Sequence, residues 1–388
     1  MKTTIRLLIF CALLSPYFLF HTLCAAENPA AQTYFVYVGN YTAKTESKGI
    51  YLFEFSADTG QLTAKGLAGE TSDPSWIAIH PSGNFLYAAN ESGKASTVSA
   101  FLIDPKTGKL TLLNKLPALG EDPCYLSFDQ TGKYLLVANY TSGNVVVFPI
   151  GPDGSLGEHT AVQTDPGVPG PNTQRQDGPH AHWIEPSGNN QFVSVADLGV
   201  DRVLFYHFDE SKGTLSPGTP VDEFSAAVAP GACPRHVAFG NEIKFMYVLA
   251  ELTSTVTVFA NEGHETFRSV QQVSALPKDF QGRNDAAEIA ILPNGKFLYT
   301  SNRGHDSIAV FAIDPAKGTL TPVEDVETGG KEPRNFVIDP SGHFLLAENQ
   351  NSDTIVEFKI DPSTGKLTQT GAVTRTPSPI CIVFLKKK

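Results

Sequence analysis

One pattern recurs along the chain, a short apolar run that ends in a polar residue: "YVGN" to Asn40, "YAAN" to Asn90, "LVAN" to Asn139, "SVAD" to Asp197, "VLAE" to Glu251, "YTSN" to Asn302 and "LAEN" to Asn349. These seven copies stand 47 to 58 residues apart. Self-similarity at that period marks an architecture in which each copy is one supersecondary unit that buries its apolar face against its neighbours. Each copy also carries an upstream run such as "PSWIAIHPSG", "PCYLSFDQTG" or "PHAHWIEPSG", and a downstream stretch such as "SIAVFAIDPAKGTLTPV", where a D-P-x-x-G turn separates two further runs. Runs rich in Val, Ile, Phe and Tyr, bounded by Pro, Gly, Asp and Ser, read as strands. Four strands per copy in seven copies predict an all-β, seven-bladed β-propeller of four-stranded antiparallel blades. The ends agree with closure, since "TYFVYVGNYT" is a second strand without a first and "PSPICIVFL" a first strand without a second. Sharing one blade, the N- and C-terminal strands would remove the open sheet edges.

The first residues have Lys2 and Arg6, an apolar run interrupted by Pro16, and then small residues. This is the pattern of a secretory signal peptide, with cleavage expected near Ala26 and one propeller domain over residues 27–388. The run is too short and too interrupted for a membrane span, and Leu23 before Cys24 fits a lipoprotein signal poorly. Export to the periplasm or the medium is the expectation. The formal charge of −11 argues against nucleic acid or an anionic membrane as partner. Cys124, Cys233 and Cys381 remain after cleavage, an odd set without C-x-x-C spacing, and read as free core or rim residues.

With strands named A to D from the axis outward, the "PSG" turn joins A to B and sets their register. Counting from it pairs Ser75 with Asn90, His180 with Asp197, Arg235 with Glu251, and Arg334 with Asn349, all at one end of the channel. Three long connections from D to the next A lie at that end, "VQTDPGVPGPNTQRQDGPH", "DEFSAAVAPGACPR" and "ALPKDFQGRNDAA". Loops of such length in a compact domain are commonly functional. Aligned copies then show which residues break the repeat. Strand A begins with Ser75, Cys124, His180, Arg235, Ala287 and Arg334, followed by Trp76, Tyr125, Ala181, His236, Glu288 and Asn335. Two places after the first of these, Ile77, Leu126, Val237, Ile289 and Phe336 are apolar where the third copy has His182.

At the end of strand B, Asn is the usual residue and plausibly satisfies turn backbone, while Asp197 and Glu251 replace it by carboxylates. Arg303 follows in "SNRGHDS". Clustered His, Arg and carboxylate groups at a channel mouth make a candidate for tuned acid/base chemistry. For His182 three readings stay open: acid/base catalysis, ligand binding, and a structural role. His180 and His182, two apart on a strand, would face one side and could hold a metal with Asp197. No second cluster has metal-ligand spacing, so neither metal nor cofactor is expected. There is no G-x-S-x-G, H-E-x-x-H or suitably placed S-x-x-K, so a hydrolase of this kind would use activated water, with His182 as base and Arg235 on the anion.

"GPHAHWIEPSG", "CPRHVAF", "AEIAILPNGKFLYTSNRGHDSIAVF" and "EPRNFVIDPSGHFLLAENQNSDTIVEF" resemble the lactonase family of seven-bladed propellers, which includes bacterial propeller-type 6-phosphogluconolactonase and carboxy-muconate lactonizing enzyme. The resemblance spans the mature chain. It implies opening of a small-molecule sugar lactone, or the reverse, by a histidine, two arginines and a glutamate, which correspond to His182, Arg235, Arg303 and Glu251. His180, His236 and Glu288 stand in matching motifs nearby, with Asp197, Arg334 and Asn349 as further candidates for binding substrate. The best-known members act inside cells, so an exported chain is expected to meet another sugar lactone or something unrelated. The alternatives are a non-catalytic propeller that binds an anionic glycan or protein, and a muconate-type cycloisomerase.

Overall fold

A computed structural model describes residues 32–240, 243–263 and 266–387, and the proposed signal peptide lies outside them. The strands assemble into seven sheets of the expected antiparallel order. Blade 1 is built from Pro74–Ile79, Phe85–Asn90, Thr97–Ile103 and Leu110–Pro117. Blades 2 to 6 begin with strands Pro123–Phe128, Ala181–Pro186, Pro234–Phe239, Asp285–Ile291 and Pro333–Ile338. Blade 7 is shared by the chain ends. Its innermost strand Pro379–Lys386 pairs antiparallel with Thr33–Asn40, from Lys386 opposite Tyr34 to Pro379 opposite Asn40. The fourth strand of blade 3 is split, because Thr214–Pro217 and the additional strand Ser225–Ala227 pair with opposite ends of Arg202–Asp209.

The strands are apolar on both faces because each sheet is sandwiched between two others. Trp183, 1% exposed, lies in a cluster that joins blades 2, 3 and 4, and burying a side chain of that size stabilises the fold by about 3 kcal/mol. Large tyrosines in such a core need a partner for the hydroxyl. Tyr87, Tyr247 and Tyr299 each donate to a turn carbonyl of the following blade, those of Gly154, Gly318 and Gly365, at 2.7, 2.9 and 2.8 Å. These bonds tie neighbouring blades at the rim that carries the A-to-B and C-to-D turns.

The register differs from the expected one by a single residue: in blades 1 and 6 a β-bulge at the start of strand A moves the partner one place earlier, whereas in blade 3 the partner of Asp197 lies one place later because Pro186 is still in the ladder, level with Ile79 of blade 1, and does not open the turn. Pro74, not Ser75, stands opposite Asn90; Ala181 stands opposite Asp197, Pro234 opposite Ala250, and Pro333 opposite Asn349. The unpaired extra residues are Ser75, Cys124, His182, Arg235 and Arg334. In blade 5 the irregularity falls between Ala286 and Ile289, so Ala287 and Glu288 lie within it. A bulge frees one residue from the ladder and re-aims its side chain. The free thiols match the sequence reading, as Cys124, Cys233 and Cys381 are buried and unpaired.

Candidate functional site

The strand pairing corrects the alignment of the copies, because Pro186 stands level with Ile79 and not with Pro81. His182 does not replace an apolar residue, since Ile184 takes that place in blade 3; it is the bulge residue equivalent to Ser75, Cys124, Arg235 and Arg334. Several bulge side chains reach the next blade's first strand. Ser75 Oγ donates to Pro123 O at 3.1 Å, Cys124 Sγ lies 3.6 Å from Ala181 O, and Arg235 Nη1 donates to Ala287 O. The B-strand ends shift likewise. Ala250 occupies the position of the repeated Asn, and Glu251 comes one residue later, level with Tyr41, Glu91, Tyr140 and Arg303.

Glu251 is the hub of this end of the molecule. Its Oε1 accepts from Arg175 Nη2 at 2.6 Å, and its Oε2 lies 3.2 Å from both Arg303 Nη2 and Arg235 Nε. The Arg235 Nε–H is not aimed along the last contact, which is therefore an ion pair without a hydrogen bond. Arg235 and Glu251 are 3% and 4% exposed, so the pair is desolvated and not the exposed rim contact that would be worth little. Both flanking guanidiniums are also fixed to backbone. Arg303 Nε donates to Asp285 O at 3.0 Å, and Arg235 uses Nη1 for Ala287 O. Burial opposes the Glu251 charge, but Arg303, Arg235 and Arg175 outweigh it and hold the carboxyl at about 2. Burial, reinforced by Arg303 and Arg334, lowers Arg235 to about 10.

His182 packs at 5.2 Å from the ring of His236 and 5.5 Å from that of Tyr140, with Nδ1 3.7 Å from Cys124 Sγ. Its Nε2 has no partner among the described residues. Burial, then the charges of Arg235, His236 and Arg334, pushes the imidazole well below its usual value, so the ring is neutral at pH 7. His236 accepts from Arg235 Nη1 at Nε2, 3.2 Å, and faces Glu288 through Nδ1 at 3.1 Å, which fixes a tautomer with the proton on Nδ1. His180 is engaged at both nitrogens, with Tyr140 O and with Asp177 Oδ1, each at 2.9 Å. His180 and His182 therefore do not act as an alternating pair: the bulge at His182 breaks the alternation, and His180 works as a strut between blade 2 and the long loop.

Two candidates leave the cluster altogether. Asp197 is fully buried and accepts from the amides of His180, Gly199 and Val200 at 2.8, 2.8 and 3.1 Å. Burial raises its carboxyl, and burial together with the Asp197 charge raises that of Asp165. Asn349 donates to Thr328 O at 3.3 Å, just as Asn139 donates to Ala118 O and Asn302 to Ala275 O. Both residues pin connections between blades. Arg334 stays, 5.5 Å above the Tyr41 ring and 3.9 Å from Glu91 Oε2, which accepts from Tyr41 at 2.8 Å.

Arg175, Tyr140, Tyr41 and Glu91 belong to the cluster and were not singled out from the sequence. The last three occupy the position one residue beyond the repeated Asn, where Glu251 and Arg303 also stand; reading that column would have found them. Arg175 lies in the longest connection, which is anchored when Gln176 Nε2 donates to Leu198 O at 2.9 Å. Arg175 also borders a polar groove of about 790 Å³, lined further by Asn172, Gln174, Ser254 and Asn284.

Comparison with known proteins agrees with this architecture. The chain is 38% identical over 305 residues to a Bacillus subtilis 6-phosphogluconolactonase, covering 78% of this chain and 84% of that one. A Pseudomonas aeruginosa periplasmic gluconolactonase superposes with a TM-score of 0.86 at 32% identity, over 92% of this chain and 100% of the other. A Lactobacillus plantarum protein superposes at 0.84 with 30% identity, over 91% and 99%. Residues 35–384 match the family model described as lactonase, 7-bladed beta-propeller, and the chain belongs to that family.

Proposed function

We propose that this protein hydrolyses a sugar lactone by attack of water at the Glu251 cluster, at the mouth of the channel. One observation carries the reading: a single buried carboxylate holds three guanidiniums in place beside a neutral histidine whose Nε2 is free. Attack on a lactone carbonyl moves negative charge onto its oxygen. Donors fixed in advance stabilise that charge without reorganising during the reaction. Arg235 and Arg303 supply them, and His182 takes the proton from water as general base. Glu251, held near 2, keeps its charge throughout the neutral range, so its part is to orient the arginines and not to relay a proton. Glu288 and His236 support Arg235 from behind.

A depressed imidazole is a weak base, and the substrate corrects this. The negative charge that develops on the carbonyl oxygen beside Arg235 offsets one of the charges that lower His182, so its basicity rises as water attacks. The Bacillus and Pseudomonas relatives act, by their names, on 6-phosphogluconolactone and gluconolactone, which supports an aldonolactone as the substrate class. The periplasmic relative also supports reading residues 1–26 as an export signal and favours testing unphosphorylated lactones first. The test is proton release by the purified mature protein against phosphorylated and unphosphorylated lactones side by side. Saturable acid production above the spontaneous rate is expected with at least one aldonolactone. Binding without acid production across the panel would leave a non-catalytic propeller.

A further inference from the structure

Lactone opening needs two proton movements, and the cluster described so far provides for one. His182 receives a proton from water, but the ring oxygen departs as an alkoxide, a poor leaving group unless it is protonated as the bond breaks. Among the described residues, Tyr140 has the means to do this. Its hydroxyl accepts from Arg175 Nη2 at 3.1 Å and donates to no acceptor there, so its own proton is uncommitted. The same Arg175 nitrogen contacts Glu251 at 2.6 Å, which places the phenol oxygen beside the hub. The ring is stacked on His180 at 4.8 Å and set edge-on to His182 at 5.5 Å. Its main chain is fixed as well, with the amide donating to Asp122 O at 2.9 Å. Burial raises the phenol above its usual value against the pull of Arg175, so it keeps its proton at neutral pH.

We infer that Tyr140 is the catalytic proton donor to the leaving ring oxygen, an inference that rests on the lactonase reading. Water's oxygen bonds to the carbonyl carbon and its proton passes to His182. The tetrahedral intermediate collapses, the bond from that carbon to the ring oxygen breaks, and the electron pair on the ring oxygen takes the Tyr140 proton. Arg175 faces the phenolate so formed. The imidazolium of His182 returns its proton to Tyr140, and the new carboxylic acid ionises, releasing the one proton that an acid-release assay records.

Tyr140→Phe keeps the ring contacts with His180 and His182 and removes only the hydroxyl. On an alkyl aldonolactone that the wild type hydrolyses, kcat should fall about 100-fold with KM within about threefold. Arg175→Met is the second variant, because a hydroxyl that served only to hold Arg175 would be equivalent to losing Arg175. The expected result is a smaller kcat loss in Arg175→Met and a further loss when Tyr140→Phe is added to it. Tyr140→Phe with wild-type kcat overturns the inference, as does an Arg175→Met loss of equal size that the double variant does not deepen. So does a Tyr140→Phe chain whose thermal melt departs from wild type, which would make the hydroxyl structural. A wild type that hydrolyses no lactone overturns the lactonase reading together with this step.

Discussion

Both rims of the propeller carry buried carboxylates, and the rims differ in where those carboxylates find partners. At the rim of the A-to-B turns, Asp339 accepts from the amides of Ser341, His343 and Phe344 at 2.9, 2.8 and 2.7 Å, and from the Ser341 hydroxyl. Asp129 does the same with Thr131 and Tyr134. Those donors lie within five residues, so the charge is held chiefly by its own turn, with Asn190 of the next blade adding one donor to Asp129 at 3.1 Å. At the opposite rim Glu251 is met by Arg175, Arg235 and Arg303, from a long loop and the strands of two blades. A locally satisfied carboxylate holds a turn. One met by its own blade, the next blade and a long loop holds several cations in a fixed arrangement.

Substitutions should separate the two rims, beginning with the largest effect. His182→Ala is expected to abolish turnover of the lactone while leaving the thermal melt close to wild type, measured by proton release and circular dichroism. Unchanged activity would sink the base assignment. Glu251→Gln leaves three guanidiniums without their counter-charge; breaking a buried ion pair this way costs about 3–5 kcal/mol, read by denaturant unfolding, and kcat should fall by about 100-fold. If the two rims were equivalent, this variant would lose stability and keep its activity.

A finer test uses pH. Because burial and the nearby arginines lower His182, the ring loses its proton below the ordinary imidazole value of 6.5. The acid limb of kcat/KM should therefore fall below pH 6.5, and Arg334→Met, which removes one of the depressing charges, should move it upward. A limb at or above 6.5 in the wild type would contradict the electrostatic account. The smallest effect on catalysis is expected at the other rim. Asp339→Ala should lower stability by about 2 kcal/mol, through three orphaned amides, with turnover unchanged.

The architecture was legible because its determinants are local and repeated. Apolar runs recur seven times at a period near fifty residues, most of them with Asp-containing turns, and the orphan strands at the two ends announce their shared blade. The resemblance to lactonases likewise rests on segments that stay contiguous. His182, Arg235, Glu251 and Arg303 could be named from the chain alone, and the structure brings all four together. The register could not be read correctly, because each first strand contains a bulge and the "PSG" of the third copy lies two residues earlier relative to the ladder than that of the first.

That single-residue error moved residues between columns. It made His182 look like an apolar outlier, set Glu251 in the place of Ala250, and hid Tyr41, Glu91 and Tyr140, which share the column of Glu251. It also lent Asp197 and Asn349 a part in the site, whereas Asp197 Oδ1 accepts from the His180 amide and Asn349 Nδ2 donates to Thr328 O. By itself, then, the sequence determined the repeat and the closure, since these follow from local periodicity, and it named His182, Arg235, Glu251 and Arg303 as candidates. Which side chains meet, above all Arg175 descending from a long loop onto Glu251 and Tyr140, was decided only in the tertiary structure. The contacts join residues far apart in the chain, and the bulges that aim them leave no mark in local periodicity.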